Sequence, residues 1–206
     1  MEPVRRMRRA ERREQILASA TRAFARAGFA ATSLDDIADE AGITRVILYR
    51  HFASKTDLYG AALDRFCALL GEYIREPVGG FTDSSIDALV RAAAAEPDGF
   101  RLLFQHAARE PEFRAWAERF RQGMTEAAHR QIGTVIADPA WASWASQLAP
   151  VVTVEAIIAW LDAGQPDPEH AARRIRHVVG AVLAADSSTV DQKAARTARS
   201  RTRRNG

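Results

Sequence analysis

The stretch 33–52 packs two short amphipathic helices around a glycine, and few folds accommodate that arrangement. Ser33 is placed to cap the first helix, with Asp36 three residues on in the capping-box position usually held by Glu. Leu34, Ile37, Ala38 and Ala41 fall at i, i+3, i+4 and i+7 and form one apolar stripe. Gly42 then ends the helix by taking a left-handed conformation. Thr44 is placed to cap a second helix over 45–51, with Leu48 and Phe52 four apart on its inner side. Helix, tight turn and helix at this spacing make a helix-turn-helix. In such units the second helix enters the DNA major groove and sets its N-terminal residues on base edges.

Around this unit the chain is expected to be all-α, since apolar residues recur at helical spacing and no long alternating stretch suggests a strand. A first helix is expected over 11–27, burying Ile16, Leu17, Ala20, Phe24 and Ala27 and stopping at Gly28. Ser54, with Asp57 three residues on, is placed to cap a long fourth helix. Its stripe is Leu58, Ala62, Phe66, Leu69, Leu70 and Tyr73, and it ends before Pro77 and a Gly79-Gly80 loop. Further helices are expected over 84–95, 99–109, 111–136, 141–163 and 167–185, with Pro111 opening one and Pro150 starting or kinking another.

Charge divides the chain. Residues 1–60 carry 11 Lys and Arg against 8 Asp and Glu, residues 61–186 carry 12 against 17, and residues 187–206 carry 6 against 1. A polyanion is attracted to the two ends and repelled by the centre. The arginines Arg5, Arg6, Arg8 and Arg9 make residues 1–10 a flexible basic arm, either solvated or reaching into a minor groove. Residues 187–206 are polar and basic, so disorder is expected there. The single cysteine, Cys67, excludes an internal disulfide and a Cys-rich zinc site. The longest apolar stretch is about 14 residues, short of the roughly 20 that cross a bilayer. No secretory leader is legible, and a cytoplasmic protein is expected.

The second helix of the unit turns Thr44, Arg45, Val46, Ile47, Tyr49 and Arg50 outward. Arg45, at its start, suits a guanine edge or a phosphate, and Val46 or Ile47 a thymine methyl. Tyr49 and His51 are placed to donate to phosphates or to pack inside the small domain. Ser33 and Lys55 stand at helix starts, where free N–H groups favour an anion.

The stretch GFAATSLDDIADEAGITRVILYRHFASKTDLYGAAL resembles the N-terminal domain of the TetR family of bacterial transcriptional regulators. The match runs through Thr32, Ser33, Leu34, Ile37, Ala38, Ala41, Gly42, Ile43, Thr44, Leu48, Tyr49, His51, Phe52, Ser54, Lys55 and Leu58. Val46 and Ile47 depart from the family's small or hydroxylated residues and make the reading surface more apolar. The resemblance implies a three-helix DNA-binding domain over residues 11–55 that includes Thr32 among its DNA-facing residues. It implies an all-helical C-terminal ligand-binding and dimerisation domain over residues 56–186. It further implies a homodimer on a palindromic double-stranded DNA operator, acting as a repressor released by a small-molecule effector. No cofactor is implied.

In the centre, Phe113, Trp116, Ala117, Phe120 and Met124 share one face, and Phe100, Leu103, Phe104 and Ala107 form a partner stripe. These residues are either plain core or the lining of an effector pocket, with Gln105, His106 or Arg121 supplying polar contacts. Two late stripes pack either on the chain's own core or on a second subunit as a dimer face: Val154, Ile157, Ile158 and Leu161, then Ala171, Ile175, Val178 and Val182. The chain carries no G-x-S-x-G, P-loop, H-E-x-x-H or His/Cys cluster, and no enzyme is expected.

Overall fold

The computed structural model describes residues 9–74 and 83–184. The expected arm (apart from Arg9 and Ala10), the Pro77–Gly80 loop and the basic tail lie outside the described residues, as does the side chain of Val182. Among the described residues the chain is helical throughout, without a strand: α1 (Arg9–Ala31), α2 (Leu34–Glu40), α3 (Arg45–Tyr49), α4 (Lys55–Ile74), α5 (Asp83–Ala95), α6 (Pro97–Arg101), α7 (Arg114–Ile132), α8 (Pro139–Asp162) and α9 (Ala171–Ala184). A π-helical segment, Leu102–Ala107, continues α6.

The all-α expectation therefore holds, and the local signals around α2 and α3 act as their chemistry dictates. Asp36 N–H donates to Ser33 Oγ while the Asp36 carboxylate accepts from Ser33 N–H, so the capping box closes. Gly42 takes φ +62°, Gly42 N–H donates to Asp39 O and Ile43 N–H to Ala38 O. Those two bonds are a Schellman stop, and they turn the chain straight into α3. Thr44 occupies the cap position of α3, but its hydroxyl makes no bond to the helix.

α1 clamps this unit from behind. Gln15 Nε2 donates to Ala41 O at 2.9 Å, Arg22 and Arg26 both grip Glu40, and Arg13 lies 4.3 Å over the Phe52 ring. Gly28 breaks α1 with φ +78°, as its position suggests, although a further helical turn runs on to Ala31. Ala23, not Ala27, completes the buried face of α1; Ala27 is exposed.

Several boundaries correct the sequence expectations. Arg9 is not part of a loose arm but the first residue of α1. Pro111 lies in a turn, and the helix expected to start there begins at Arg114 because Phe113 is drawn into the core instead. Pro97 occupies the first position of α6, where a missing N–H costs nothing. Pro150 sits inside α8 without ending it. α9 starts at Ala171 rather than at residue 167 because Asp167 has positive φ, and its carboxylate holds His170 and Arg174 at the helix entrance. α8 has 24 residues and is long and apolar enough to cross a membrane, yet over half of its apolar window is buried inside the structure.

α4 joins the two halves of the molecule. It packs on α1, where Tyr59 meets Phe24, and on α5 and α6, where Phe66 meets Phe100 and Gly99; Leu58, Ala62, Leu63 and Leu70 are buried along it. Arg65 ties α4 to Glu14 of α1 at 3.0 Å and to Glu96 ahead of α6 at 2.7 Å. Cys67 is half-buried, and burial raises its thiol pKa to about 11, which fits a packing role. α7 and α8 pack side by side, and α9 closes over α5 and α8.

Candidate nucleic-acid interface and effector cavity

The Schellman turn sets α3 across the outer surface. Thr44, Arg45, Val46, Tyr49 and Arg50 are exposed, Ile47 is half-buried, and Leu48 faces inward with no exposure. Val46 is more open than Tyr49, at 64% against 48%. Arg45 Nη1 bonds the Asp35 carboxylate at 3.0 Å, and its Nη2 donates to Tyr49 Oη at 3.3 Å. Ser33 is exposed at the start of α2.

Three of the expected DNA-facing residues are placed differently. Thr32 is buried, and its hydroxyl donates to Gly28 O at 2.7 Å and Ala23 O at 3.2 Å, closing the end of α1. Lys55 is half-buried; its ammonium donates to Phe29 O at 2.7 Å and Thr32 O at 3.0 Å and lies 4.3 Å over the Phe29 ring. One N–H of the three remains for a phosphate. His51 is half-buried with its carbonyl bonded by Arg13. Burial, with Arg9, Arg13 and Arg12 nearby, lowers its pKa below the ordinary value, so near pH 7 it is a neutral donor rather than a cation. Asp35 is an acidic neighbour that the sequence reasoning did not place at this surface. Its partner is ten residues away across the turn, where no helical spacing signals it.

Behind this surface the two halves meet at an aromatic cluster. Tyr59 packs against Phe24 (4.7 Å between centroids), Phe29 (5.2 Å) and Phe113 (4.2 Å). His106, in the π-helical segment, abuts the break in α1: a Cβ on Gly28 would meet its Nδ1 at 3.4 Å. Tyr59 is fully buried, its hydroxyl has no hydrogen-bond partner among the described residues, and burial with Glu110 nearby raises its pKa. An unpaired buried hydroxyl costs folding free energy. Tyr59→Phe is therefore expected to stabilise the protein by about 1 kcal/mol, raising Tm by roughly 2–4 °C. Calorimetry checks this, and a lower Tm would show that the hydroxyl is bonded.

A cavity of about 240 Å³ opens between the π-helical segment, α7 and α8. Phe104, Ala108, Ala117, Met124, Pro150, Val151 and Val154 give it an apolar wall, and Arg114, Glu118, Arg121 and Glu155 its charged margin. Of the expected pocket residues, Phe104, Ala117, Arg121 and Met124 line it. Arg121 pairs with Glu118. Phe113 is committed to the aromatic cluster, Trp116 donates from Nε1 to Asp64 Oδ1 at 2.7 Å, and Gln105, His106 and Phe120 lie outside the lining. The α8 half of the wall went unread in the sequence, because which face of α7 meets α8 is a tertiary fact. Among the described residues no group of three or more His, Cys, Asp or Glu is arranged to hold a metal.

The model of the tetR family of bacterial regulatory proteins matches residues 16–62. The chain is 35% identical over 107 residues to the HTH-type transcriptional activator FasR of Mycolicibacterium smegmatis, covering 49% of each. It is 34% identical over 108 residues to the HTH-type transcriptional repressor KstR2 of Mycobacterium tuberculosis, covering 52% of each. The chain thus spans about half the length of these curated relatives. Its fold is similar to that of a TetR-like transcriptional regulator from Rhodococcus sp. RHA1, with a TM-score of 0.70 and 19% identity over 87% of this chain and 99% of the other.

Proposed function

Taking as premise that the chain belongs to the TetR family of bacterial regulatory proteins by its N-terminal domain, we propose that it is a DNA-binding transcriptional regulator. The observation that carries this reading is the exposed face of α3, set by the Gly42 turn, with Arg45 at its first position and Val46 left 64% exposed among the described residues. Residues 11–55 form the DNA-binding part and residues 56–186 the regulatory part. The regulator acts in the cytoplasm on a palindromic operator, as a repressor that a small molecule releases.

A homodimer follows from the geometry of reading two half-sites, whose recognition helices lie ~34–36 Å apart. The late apolar stripes take the core alternative rather than the partner face. Val154, Ile157, Ile158 and Leu161 are buried inside the chain, as are Ala171 and Ile175. Val179 faces the core in place of Val178. Left outside are Trp144 and Val151 on α8 and Val178 on α9, each 45–49% exposed. Arg176 reaches Asp87 of α5 from one flank of α9, which sets Val178 on the flank toward α8. These exposed apolar groups are the proposed dimer face.

The effector occupies the cavity walled by Phe104, Met124 and Val154. α4 carries its effect, since its Tyr59 packs on Phe24 and Phe29 of the DNA-binding part and on Phe113 of the regulatory part. A ligand shifts the equilibrium only by binding the state unfit for DNA more tightly. No chemical step enters this reading.

Fluorescence polarisation of the full chain on duplexes from the region upstream of its own gene tests the proposal. Arg45→Ala is expected to weaken specific binding by ~1–3 kcal/mol while leaving the fold intact. Binding is also expected to fall steeply between 50 and 200 mM salt, as counterions released from several phosphates return. A flat salt response, or no specific duplex at low salt without effector, would overturn the reading.

A further inference from the structure

An acidic side chain stands on the face that the proposed function turns toward a polyanion. Asp35 lies in the first turn of α2, its side chain 63% exposed, and its oxygens accept from Arg45 Nη1 at 3.0 Å and 3.3 Å. Capping is not its task, because Asp36 closes the box with Ser33. An exposed ion pair adds little to folding stability, and a carboxylate beside phosphates repels them. From the other side, Arg45 Nη2 donates to Tyr49 Oη, and the guanidinium carbon lies 5.6 Å from the Tyr49 ring centroid. Two anchors, one on α2 and one on α3, thus hold a guanidinium at the first position of α3.

Held in this way, Arg45 keeps Nε–H and one Nη2–H unengaged among the described residues. Two such donors suit the paired acceptors O6 and N7 of guanine in the major groove. A long side chain ordered in advance loses less freedom on binding. We propose that Asp35 is the positioning residue that makes Arg45 a guanine reader, fixing the fork on the α3 face and keeping it off the phosphates. This inference rests on the DNA-binding reading above.

The test uses the full chain and a library of randomised duplexes. The wild type selects sequences from it, and polarisation then measures the selected duplex, its single-base variants and an unrelated duplex. The wild type is expected to select guanine at one position of each half-site. Asp35→Ala is expected to lose about tenfold in discrimination there. Its affinity for the unrelated duplex holds or rises, because a negative charge has gone. Arg45→Ala flattens the same position, and Asp35→Ala adds nothing in that background, the signature of two residues acting as a unit. Asp35→Asn, neutral but still an acceptor, keeps part of the discrimination. A merely structural role would weaken every duplex alike, and that outcome overturns the proposal. Full discrimination in Asp35→Ala, tighter binding of the selected duplex, or additive losses overturn it too. If the wild type enriches no sequence, the DNA-binding reading fails first, before any variant is made, and takes this inference with it.

Discussion

Val151→Asp combined with Val178→Asp is expected to turn the dimer into a monomer and to cost at least a hundredfold in affinity for the selected duplex. Both side chains are nearly half exposed in the single chain, so charging them leaves its core intact. In the proposed dimer they meet their counterparts across a two-fold, where four buried carboxylates would face one another without partners. Two half-sites held by one dimer gain from effective concentration, a factor of roughly 10²–10⁴ that a monomer forgoes. Light scattering on a sizing column reads the oligomeric state, and polarisation without effector reads the affinity, since Val151 also borders the cavity. A variant that stays dimeric would place the interface elsewhere.

What the sequence disclosed and what it withheld divide along the range of the interactions involved. The capping box at Ser33, the stop at Gly42 and the stripe of α2 depend on residues within a few positions of one another, and each formed as the spacing dictates. The stripe of α9 illustrates the limit. Ala171 and Ile175 continue equally well to Val178 or to Val179, three or four residues on, and helical periodicity does not choose between them. The choice falls to α5 and α8, which take Val179 and leave Val178 outside. Lys55 stands at a helix start, as anion-binding residues do, but its ammonium is recruited by the carbonyls ending α1, 23 and 26 residues back. The π-helical turn at 102–107 follows no local pattern; it re-aims Phe104 toward the cavity while Phe100 stays in the core, and π turns of this kind gather at functional sites.

Gly99→Ala is expected to destabilise the protein by about 2 kcal/mol, lowering Tm by roughly 4–8 °C. On an exposed helix the same change would help, because alanine is the better helix former by about 1 kcal/mol. Here the backbone of α6 lies flat on the Phe66 ring of α4. An added Cβ would come within 2.9 Å of Phe66 Cγ and closer still to Cδ2. The ring has no slack to yield, since it is fully buried and set edge-on to Phe100 at 6.2 Å. Overpacking then outweighs propensity, and α6 must lift from α4. Phe66→Leu in the Gly99→Ala background is expected to recover part of the loss, because a branched aliphatic chain moves aside where a ring does not. Thermal unfolding of the two single variants and the double variant measures that coupling. Stabilisation by Gly99→Ala alone would mean that α6 and α4 stand further apart than this contact requires. The same contact is where α4, which follows α3 in the chain, rests on α6. A variant that loosens it is therefore also expected to weaken the effector's hold over DNA binding at temperatures where the fold survives.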